Sequence, residues 1–176
     1  MTVYVITGAR AGLGLEYVRQ LSPVATNTIF ALVRSVAGDL SALHTVQSDP
    51  TTLATIHILP CDVSSPTSIS SLPALLLATH PSVKIDILLN NAAILHHRTT
   101  TTLTLPASTL QDHLTTNTVG PALLLQALYP LLGDVDFLGI GVVGLCRLCC
   151  RRDADRVSLW HGRAVPRAVS LPSPAW

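Results

Sequence analysis

The sequence is poor in charged and aromatic side chains and contains a single lysine, Lys84. Charged residues make up 12% of its 176 positions, aromatic residues 4%, and the formal net charge is +1 at pH 7. A nucleic-acid-binding surface needs clustered basic residues and aromatic stacking platforms, so this composition gives no support to that class of protein. No run reaches the ~18 apolar residues of a transmembrane helix, and the N-terminus lacks the pattern of a signal peptide. We therefore expect a cytoplasmic protein with no membrane or nucleic-acid partner.

Apolar residues, in contrast, are abundant at 48%, and the length fits one domain with its own core. Segments rich in β-forming residues alternate with segments of helical periodicity. This alternation predicts an α/β fold with parallel strands and right-handed crossovers. Strands are predicted at 2–6, 28–33, 55–59 and 85–89, helices at 13–21, 68–79 and 110–132, and the second crossover at 36–49.

A glycine-rich turn follows the first predicted strand directly and leads into the first predicted helix. Glycine lets the backbone turn tightly and approach a pyrophosphate, while free N–H groups at a helix start point at the anion. We expect a side chain at Gly12 or Gly14 to occupy the cofactor's space. A plain structural turn is the alternative, but the order of strand, turn and helix favours a dinucleotide phosphate site. Its predicted cofactor contacts are Thr7, Gly8, Arg10, Gly12, Leu13 and Gly14.

The spacing of these glycines, TGxxxGxG, resembles that of the short-chain dehydrogenase/reductase family. Three further motifs appear in the family's order. Asp62 and Val63 follow the third strand, the segment Asn90-Asn91-Ala92-Ala93 is similar to the family's NNAG, and Asn117 matches the asparagine of its catalytic tetrad. The resemblance covers roughly residues 1 to 133, about three-quarters of the chain.

This resemblance implies a doubly wound parallel sheet of the Rossmann type that binds a nicotinamide dinucleotide. In the family, Asp62 would hold the adenine ring, and the segment from Asn90 to Ala92 would also contact the cofactor. The implied reaction is hydride transfer to or from a small-molecule carbonyl or alcohol. Helix 110–132 would pack against a second subunit in a homodimer, although an ordinary buried helix is the alternative.

The choice between NAD and NADP can be argued from Arg34. NAD enzymes of this architecture place an acidic residue about 20 residues beyond the glycines, where it binds the ribose 2′-hydroxyl. This chain has Arg34 at that position. A guanidinium cannot accept the hydroxyl hydrogen bond but can pair with a 2′-phosphate, so NADP is favoured over NAD. Arg10 could add a second charge, and for both residues a solvated surface arginine is the alternative.

The catalytic residues that the resemblance calls for are missing from this sequence. Family members use a tyrosine as proton donor, a lysine four residues later that lowers its pKa, and a serine. A tyrosine without such a cation is a poor acid-base catalyst at neutral pH. Of the tyrosines here, Tyr4, Tyr17 and Tyr129, none has a lysine at the fourth following position. Two hypotheses remain: an NADP-dependent oxidoreductase that is inactive or truncated as written, or a catalytically silent NADP-binding or subunit-pairing module.

The composition changes abruptly after Gly133. Three of the four cysteines, both tryptophans and more than half of the basic residues lie beyond it, which suggests a gene-model error such as a frameshift. We expect an incomplete cofactor-binding domain at 1–143, with a fifth strand at 137–143, and an atypical, disordered tail at 144–176. Marginal stability should follow, because apolar sheet surface would stay uncovered.

A zinc site is a further alternative for this segment, although we expect no metal. Its ligands would be Cys146, Cys149, Cys150 and His161.

Overall fold

The fold places four parallel strands between two layers of helices. A computed structural model describes residues 1–95 and 103–133 of the chain. In chain order the elements are β1 (Thr2–Thr7), α1 (Gly12–Leu21), β2 (Asn27–Val33), α2 (Ser41–Ser48), β3 (Thr55–Pro60), α3 (Pro66–Thr79), β4 (Ile87–Leu89), α4 (Ala107–Leu114), a π-helical turn (Thr115–Val119), α5 (Gly120–Leu128) and a 3-10 turn (Tyr129–Leu131).

The strands pair in the order β3-β2-β1-β4, and every pairing is parallel. All seven residues of β2 are buried, as expected for an apolar strand that is covered on both faces. The chain adds β2 and β3 on one side of β1 and β4 on the other. The carboxyl ends of β1 and β4 therefore flank a topological switch point, the place where open α/β sheets bind ligands.

Each face of the sheet has its own hydrophobic core. On one face Val5 and Phe30 pack with Leu72 of α3 and Leu124 of α5. On the other, Ile6 and Ile29 pack with Val18 of α1 and Leu43 of α2. Neighbouring strand residues thus point into opposite cores, as the two-residue period of a strand requires. The expected doubly wound α/β architecture is confirmed.

Most predicted elements differ from the structure by one or two residues at an end, and two differences concern how an element is formed. The fourth strand begins at Ile87 rather than at residue 85, because Ile85 makes an isolated parallel bridge to Leu132. The predicted helix 110–132 begins earlier, at Ala107, is divided by the π-helical turn and ends at Leu128, before the 3-10 turn. Apolar periodicity does not reveal the widened turn, because Val119 is the one apolar residue among its five.

Several expectations concern residues outside the described ranges. The fifth strand at 137–143, the domain boundary at 143, the disordered tail and the alternative zinc ligands all lie beyond Gly133, where the description ends. Within the described ranges, no cluster of three or more metal-ligating side chains is found. None of the helices described there has the length and apolar character needed to cross a membrane.

Neighbouring leucines on α3 test this packing, because Leu76 is fully buried whereas Leu77 is 40% exposed. We expect Leu76→Ala to lower the free energy of unfolding by about 2–5 kcal/mol, since it leaves a cavity between α3 and the sheet. Leu77→Ala should cost less than about 1 kcal/mol. Urea unfolding of both variants measures the difference, and equal losses would contradict the described orientation of α3.

Candidate cofactor site

The glycine turn between β1 and α1 crosses the carboxyl edge of the sheet. Gly8 and Gly12 have φ angles of +67° and +59°, in the left-handed region that favours glycine. A Cβ on Gly8 would lie 3.0 Å from the Cα atom of Ala92. A Cβ on Gly12 would meet no atom within 4 Å, so its backbone faces open space. The turn therefore exposes backbone where a ligand could approach it closely.

Gly14 has a different role from the one expected from the sequence. A Cβ there would overlap the carbonyl oxygen of Gly8 and would lie 2.7 Å from Nδ2 of Asn91. The protein's own backbone, rather than a cofactor, therefore excludes a side chain at this position. Gly14 allows the first turn of α1 to pack directly against the glycine turn.

The side chain of Thr7 joins the glycine turn to the turn that follows β4. Its Oγ1 atom accepts hydrogen bonds from the backbone N–H groups of Asn91 and Ala92, both at 2.9 Å. The same hydroxyl donates to the carbonyl oxygen of Leu89 at 3.3 Å. In return, Nδ2 of Asn91 donates to the carbonyl oxygen of Thr7 at 2.9 Å. These bonds hold the two turns in one arrangement across the switch point.

A cleft of about 470 Å³ lies at this edge of the sheet, within the size range of small-molecule sites. Arg34 and Ser35 line it directly after β2, and Arg10 reaches it from the glycine turn. Among the residues predicted from sequence, those lining the cleft are Gly8, Arg10, Arg34, Asp62, Val63, Asn91 and Ala92. The other predicted site residues do not line it: Thr7, Gly12, Leu13, Gly14, Asn90 and Asn117.

The start of α3 fixes the position of Asp62. Its Oδ1 atom accepts hydrogen bonds from the backbone N–H and the hydroxyl of Ser64, at 2.9 and 2.7 Å. Its own N–H donates to Oγ of Ser68 at 2.9 Å. The N–H of Ser68 in turn donates to Oγ of Ser65, the N-cap residue of α3. The half-buried carboxylate is thus held in place at the cleft wall.

Cys61 also lines the cleft, although sequence reasoning did not identify it as a site residue. Burial, and secondarily the negative charge of Asp62, raises the pKa of its thiol to about 11. The thiol therefore stays protonated at neutral pH, and a protonated thiol is a poor nucleophile. Cys61 therefore contributes to the surface of the cleft wall.

Ser35 and Thr116 also line the cleft and were not predicted as site residues from the sequence. Ser35 directly follows the predicted Arg34, and that position in the chain was the one sign of its place in the site.

The asparagine that directly follows β4, Asn90, and the one in the π-helical turn, Asn117, make different contacts. Oδ1 of Asn90 is buried without a hydrogen-bond partner among the described residues, an arrangement that is uncommon in proteins. Asn117, in the π-helical turn, accepts a hydrogen bond from N–H of Ile94 at 2.8 Å and donates one to its carbonyl oxygen at 2.9 Å. The amide of Asn117 therefore positions the backbone beyond the Asn90–Ala93 turn. Its catalytic role stays a prediction.

Among the described residues, the lysine and the three tyrosines lie away from the cleft. Lys84 is exposed just before Ile85, at the amino end of β4 and so at the opposite edge of the sheet. Tyr4 lies within β1. Burial, and to a smaller extent the charge of Asp86, raises the pKa of its hydroxyl, whereas a tyrosine that transfers protons at neutral pH needs a lowered pKa. None of the three tyrosines is among the described residues that line the cleft.

Comparison with known proteins agrees with this fold. A family model described as short chain dehydrogenase matches residues 2–136, and the chain belongs to that family. It is 31% identical over 130 residues to an uncharacterized oxidoreductase of Schizosaccharomyces pombe, over 74% of this chain and 49% of that protein. It is 32% identical over 145 residues to the norsolorinic acid ketoreductase of Dothistroma septosporum, over 80% of this chain and 53% of that protein. The chain thus spans about half the length of the curated relatives it matches.

Solved structures show the same architecture. The NADPH-bound carbonyl reductase from chicken fatty liver is 29% identical, with a TM-score of 0.64 over 74% of this chain and 52% of that one. A metagenomic short-chain oxidoreductase in complex with NADP is 22% identical, with a TM-score of 0.65 over 78% of this chain and 61% of that one. At that lower identity the second similarity shows the fold alone.

The hydroxyl of Thr7 can be tested with two substitutions of similar size. Thr7→Val leaves the N–H groups of Asn91 and Ala92 without an acceptor, which should lower the free energy of unfolding by about 1–3 kcal/mol. Thr7→Ser keeps the acceptor and loses only a methyl group. Amide hydrogen exchange at Asn91 and Ala92 distinguishes the two variants. We expect faster exchange in Thr7→Val only, and equal exchange in both variants would show that the hydroxyl does not hold the turns together.

Proposed function

We propose that this chain binds NADP in the cleft, as the cofactor-binding half of an oxidoreductase that transfers hydride to or from a carbonyl or alcohol. The observation that carries the proposal is the position of Arg34. It directly follows β2 and lines the cleft, with Arg10 lining the same space from the glycine turn. A cytoplasmic location stays a prediction from the sequence.

The glycine turn and the start of α1 suit a pyrophosphate. Gly8 and Gly12 have left-handed backbone conformations. The N-cap residue of α1, Ala11, makes no side-chain capping hydrogen bond, and the first turn contains no acidic residue. The first N–H groups of α1 are therefore not satisfied by a capping side chain, and the helix dipole favours an anion there. Thr7, Leu13 and Gly14 would shape the glycine turn and the start of α1 without lining the cleft.

The adenosine end of the cofactor would lie between the ends of β2 and β3. A guanidinium at Arg34 can form two parallel hydrogen bonds to a 2′-phosphate but cannot accept one from a 2′-hydroxyl. Asp62 and Val63 line the cleft after β3, where they would hold the adenine ring. Asn91 and Ala92 would form the wall nearest the glycine turn, and Asn90 would support that wall. The 29% identical carbonyl reductase, whose structure contains NADPH, is consistent with this choice of cofactor.

When bound, NADPH would supply the hydride, and the protein would have to supply a proton. These 176 residues contain no tyrosine followed by lysine at the fourth position, and the one lysine lies at the opposite edge of the sheet. We therefore propose that the 176-residue chain binds the cofactor without catalysing turnover.

A subunit-pairing module is the second candidate, because α4 and the π-helical turn expose large apolar side chains. Leu110, Leu114 and Val119 are 49%, 48% and 47% exposed. Leu110 and Leu114 are four residues apart and so lie on one face of α4. An apolar face of this kind would suit a homologous partner or a second copy of the chain.

Reversing the charge at position 34 tests the choice of cofactor. We expect Arg34→Glu to weaken NADPH binding about tenfold or more. The new carboxylate would repel the 2′-phosphate, and the charge-assisted hydrogen bonds from the guanidinium to that phosphate would be lost. NADH binding should change little. Fluorescence titration with both nucleotides measures these affinities. Lys84→Glu makes the same change in net charge at the opposite edge of the sheet and serves as the control. An unchanged preference for NADPH in Arg34→Glu would remove Arg34 from the proposed site.

Turnover separates the oxidoreductase from the silent module. With a panel of aldehydes and ketones, we expect no NADPH oxidation above background by the purified 176-residue chain, because no tyrosine beside a lysine is present to donate the proton. Absorbance at the nicotinamide band follows the reaction. Measurable, protein-dependent oxidation would reject the silent module and would show that another group donates the proton.

A further inference from the structure

Thr116 lines the cleft from the helical layer. The other described residues that line the cleft belong to a strand or to the segment directly after one, whereas Thr116 lies in the π-helical turn. It is 4% exposed. Its hydroxyl has no hydrogen-bond partner among the described residues, and the oxygen is not sealed from solvent as Oδ1 of Asn90 is. The little surface that Thr116 exposes therefore belongs to the cleft.

Two contacts hold Thr116 between the end of β3 and the segment after β4. Four residues later, Gly120 begins α5 so close to the carbonyl oxygen of Val63 that a Cβ would overlap it. Thr116 and Gly120 are both buried and lie on the helix face that packs against Val63. Asn117 exchanges two hydrogen bonds with the backbone of Ile94. The position of Thr116 is thus fixed from both sides, in a kind of turn that is frequent at functional sites.

The described wall of the cleft contains two hydroxyl groups, and they differ in their contacts. Oγ of Ser35 accepts a hydrogen bond from the N–H of Ala37 at 3.2 Å. The hydroxyl of Thr116 makes no bond to the described part of the protein. A ligand that fills the cleft would exclude water from this hydroxyl and leave it unsatisfied, unless the ligand supplies a partner.

The carboxylate of Asp62 indicates which part of a nucleotide could supply that partner. Its Oδ1 atom accepts two hydrogen bonds from Ser64, whereas Oδ2 has no partner among the described residues. A carboxylate oxygen accepts hydrogen bonds, and the amino group is the donor on the adenine ring. An adenine held by Asp62 would therefore turn its amino edge toward Asp62 and the adjacent Val63, against which Thr116 lies.

We propose that Thr116 is a specificity-determining residue of the cleft, whose hydroxyl hydrogen-bonds the amino edge of the adenine base. The inference rests on the proposed function, in which the adenine lies beside Asp62 and Val63. A hydroxyl can donate to the ring nitrogen at this edge or accept from the amino group. Binding would then depend on the identity of the base as well as on the phosphates.

Thr116→Val and Thr116→Ser separate the hydroxyl from the methyl group. Valine keeps the volume of the side chain and removes the hydroxyl, whereas serine keeps the hydroxyl and removes the methyl group. We expect Thr116→Val to raise the Kd for NADPH about fivefold to tenfold and Thr116→Ser to change it by less than about twofold. Calorimetric titration measures both affinities. Thr118→Val is the matched control, because Thr118 is exposed in the same turn, and it should leave the Kd unchanged.

A modified cofactor locates the contact on the base. In the 1,N6-ethenoadenine analogue of NADPH, two carbon atoms bridge the ring nitrogen and the amino group of the amino edge. We expect the unsubstituted chain to bind this analogue more weakly than NADPH. Thr116→Val should then bind it as well as the unsubstituted chain does, because the contact that valine removes is already lost. An equal loss in Thr116→Val for NADPH and for the analogue would overturn the contact with this edge.

The same titrations distinguish a hydrogen bond from packing. Weaker NADPH binding in Thr116→Ser with unchanged binding in Thr116→Val would overturn the role of the hydroxyl, as would an equal loss in Thr118→Val. Thr116→Cys, whose thiol is a much weaker hydrogen-bonding group, replaces Thr116→Val if that variant does not fold. If the unsubstituted chain binds NADPH and Thr116→Val binds it equally well, this inference alone fails. If the unsubstituted chain binds neither NADPH nor NADH, the proposed function fails with it.

Discussion

The hydroxyl of Thr7 joins the glycine turn after β1 to the turn that follows β4. It accepts hydrogen bonds from two consecutive N–H groups after β4 and donates to the carbonyl oxygen of Leu89. Thr7 is 1% exposed, so no water competes for these bonds. Because β1 and β4 are neighbours in the sheet but not in the chain, this buried contact depends on the tertiary structure. The position of the glycine turn relative to Asn91 and Ala92 follows from it.

Close backbone approach is the second constraint, and two glycines provide it. At Gly14 the first turn of α1 packs against the carbonyl oxygen of Gly8, and at Gly120 the start of α5 packs against the carbonyl oxygen of Val63. Any side chain at either position would overlap the main chain. The starts of helices on both faces of the sheet therefore approach neighbouring backbone more closely than larger residues would allow.

The charges at the cleft come from three of the segments that follow strands. Arg10 lies on the glycine turn after β1, Arg34 directly follows β2 with Asp39 on the same loop, and Asp62 follows β3. The Cys61 thiol between them is kept neutral by burial. This arrangement suits the recognition of an anionic nucleotide. Among the described residues, no tyrosine or lysine lines the cleft.

The α/β architecture, the parallel strands and the glycine turn could be predicted from local sequence, because strand and helix periods and glycine conformations are short-range properties. The resemblance also identified Asp62 and Asn91, and the charge expected after the second strand identified Arg34; all three line the cleft. Local patterns could not show that Gly14 faces protein backbone, that Asn117 is bonded to Ile94, or that Cys61 and Asp39 lie at or beside the cleft. The π-helical turn was missed because its five residues include one apolar side chain, too few for a periodicity to be read.

The sequence by itself determined which residue types are available: the glycines and arginines of a nucleotide site, and no tyrosine with a lysine four residues later. Only the tertiary structure decided which of those residues meet. Thr7 and Asn91 are 84 positions apart, and parallel pairing of β1 with β4 brings them within hydrogen-bond distance. The physical reason is that such contacts depend on strand order and helix packing across the whole sheet, which no short segment of the chain encodes.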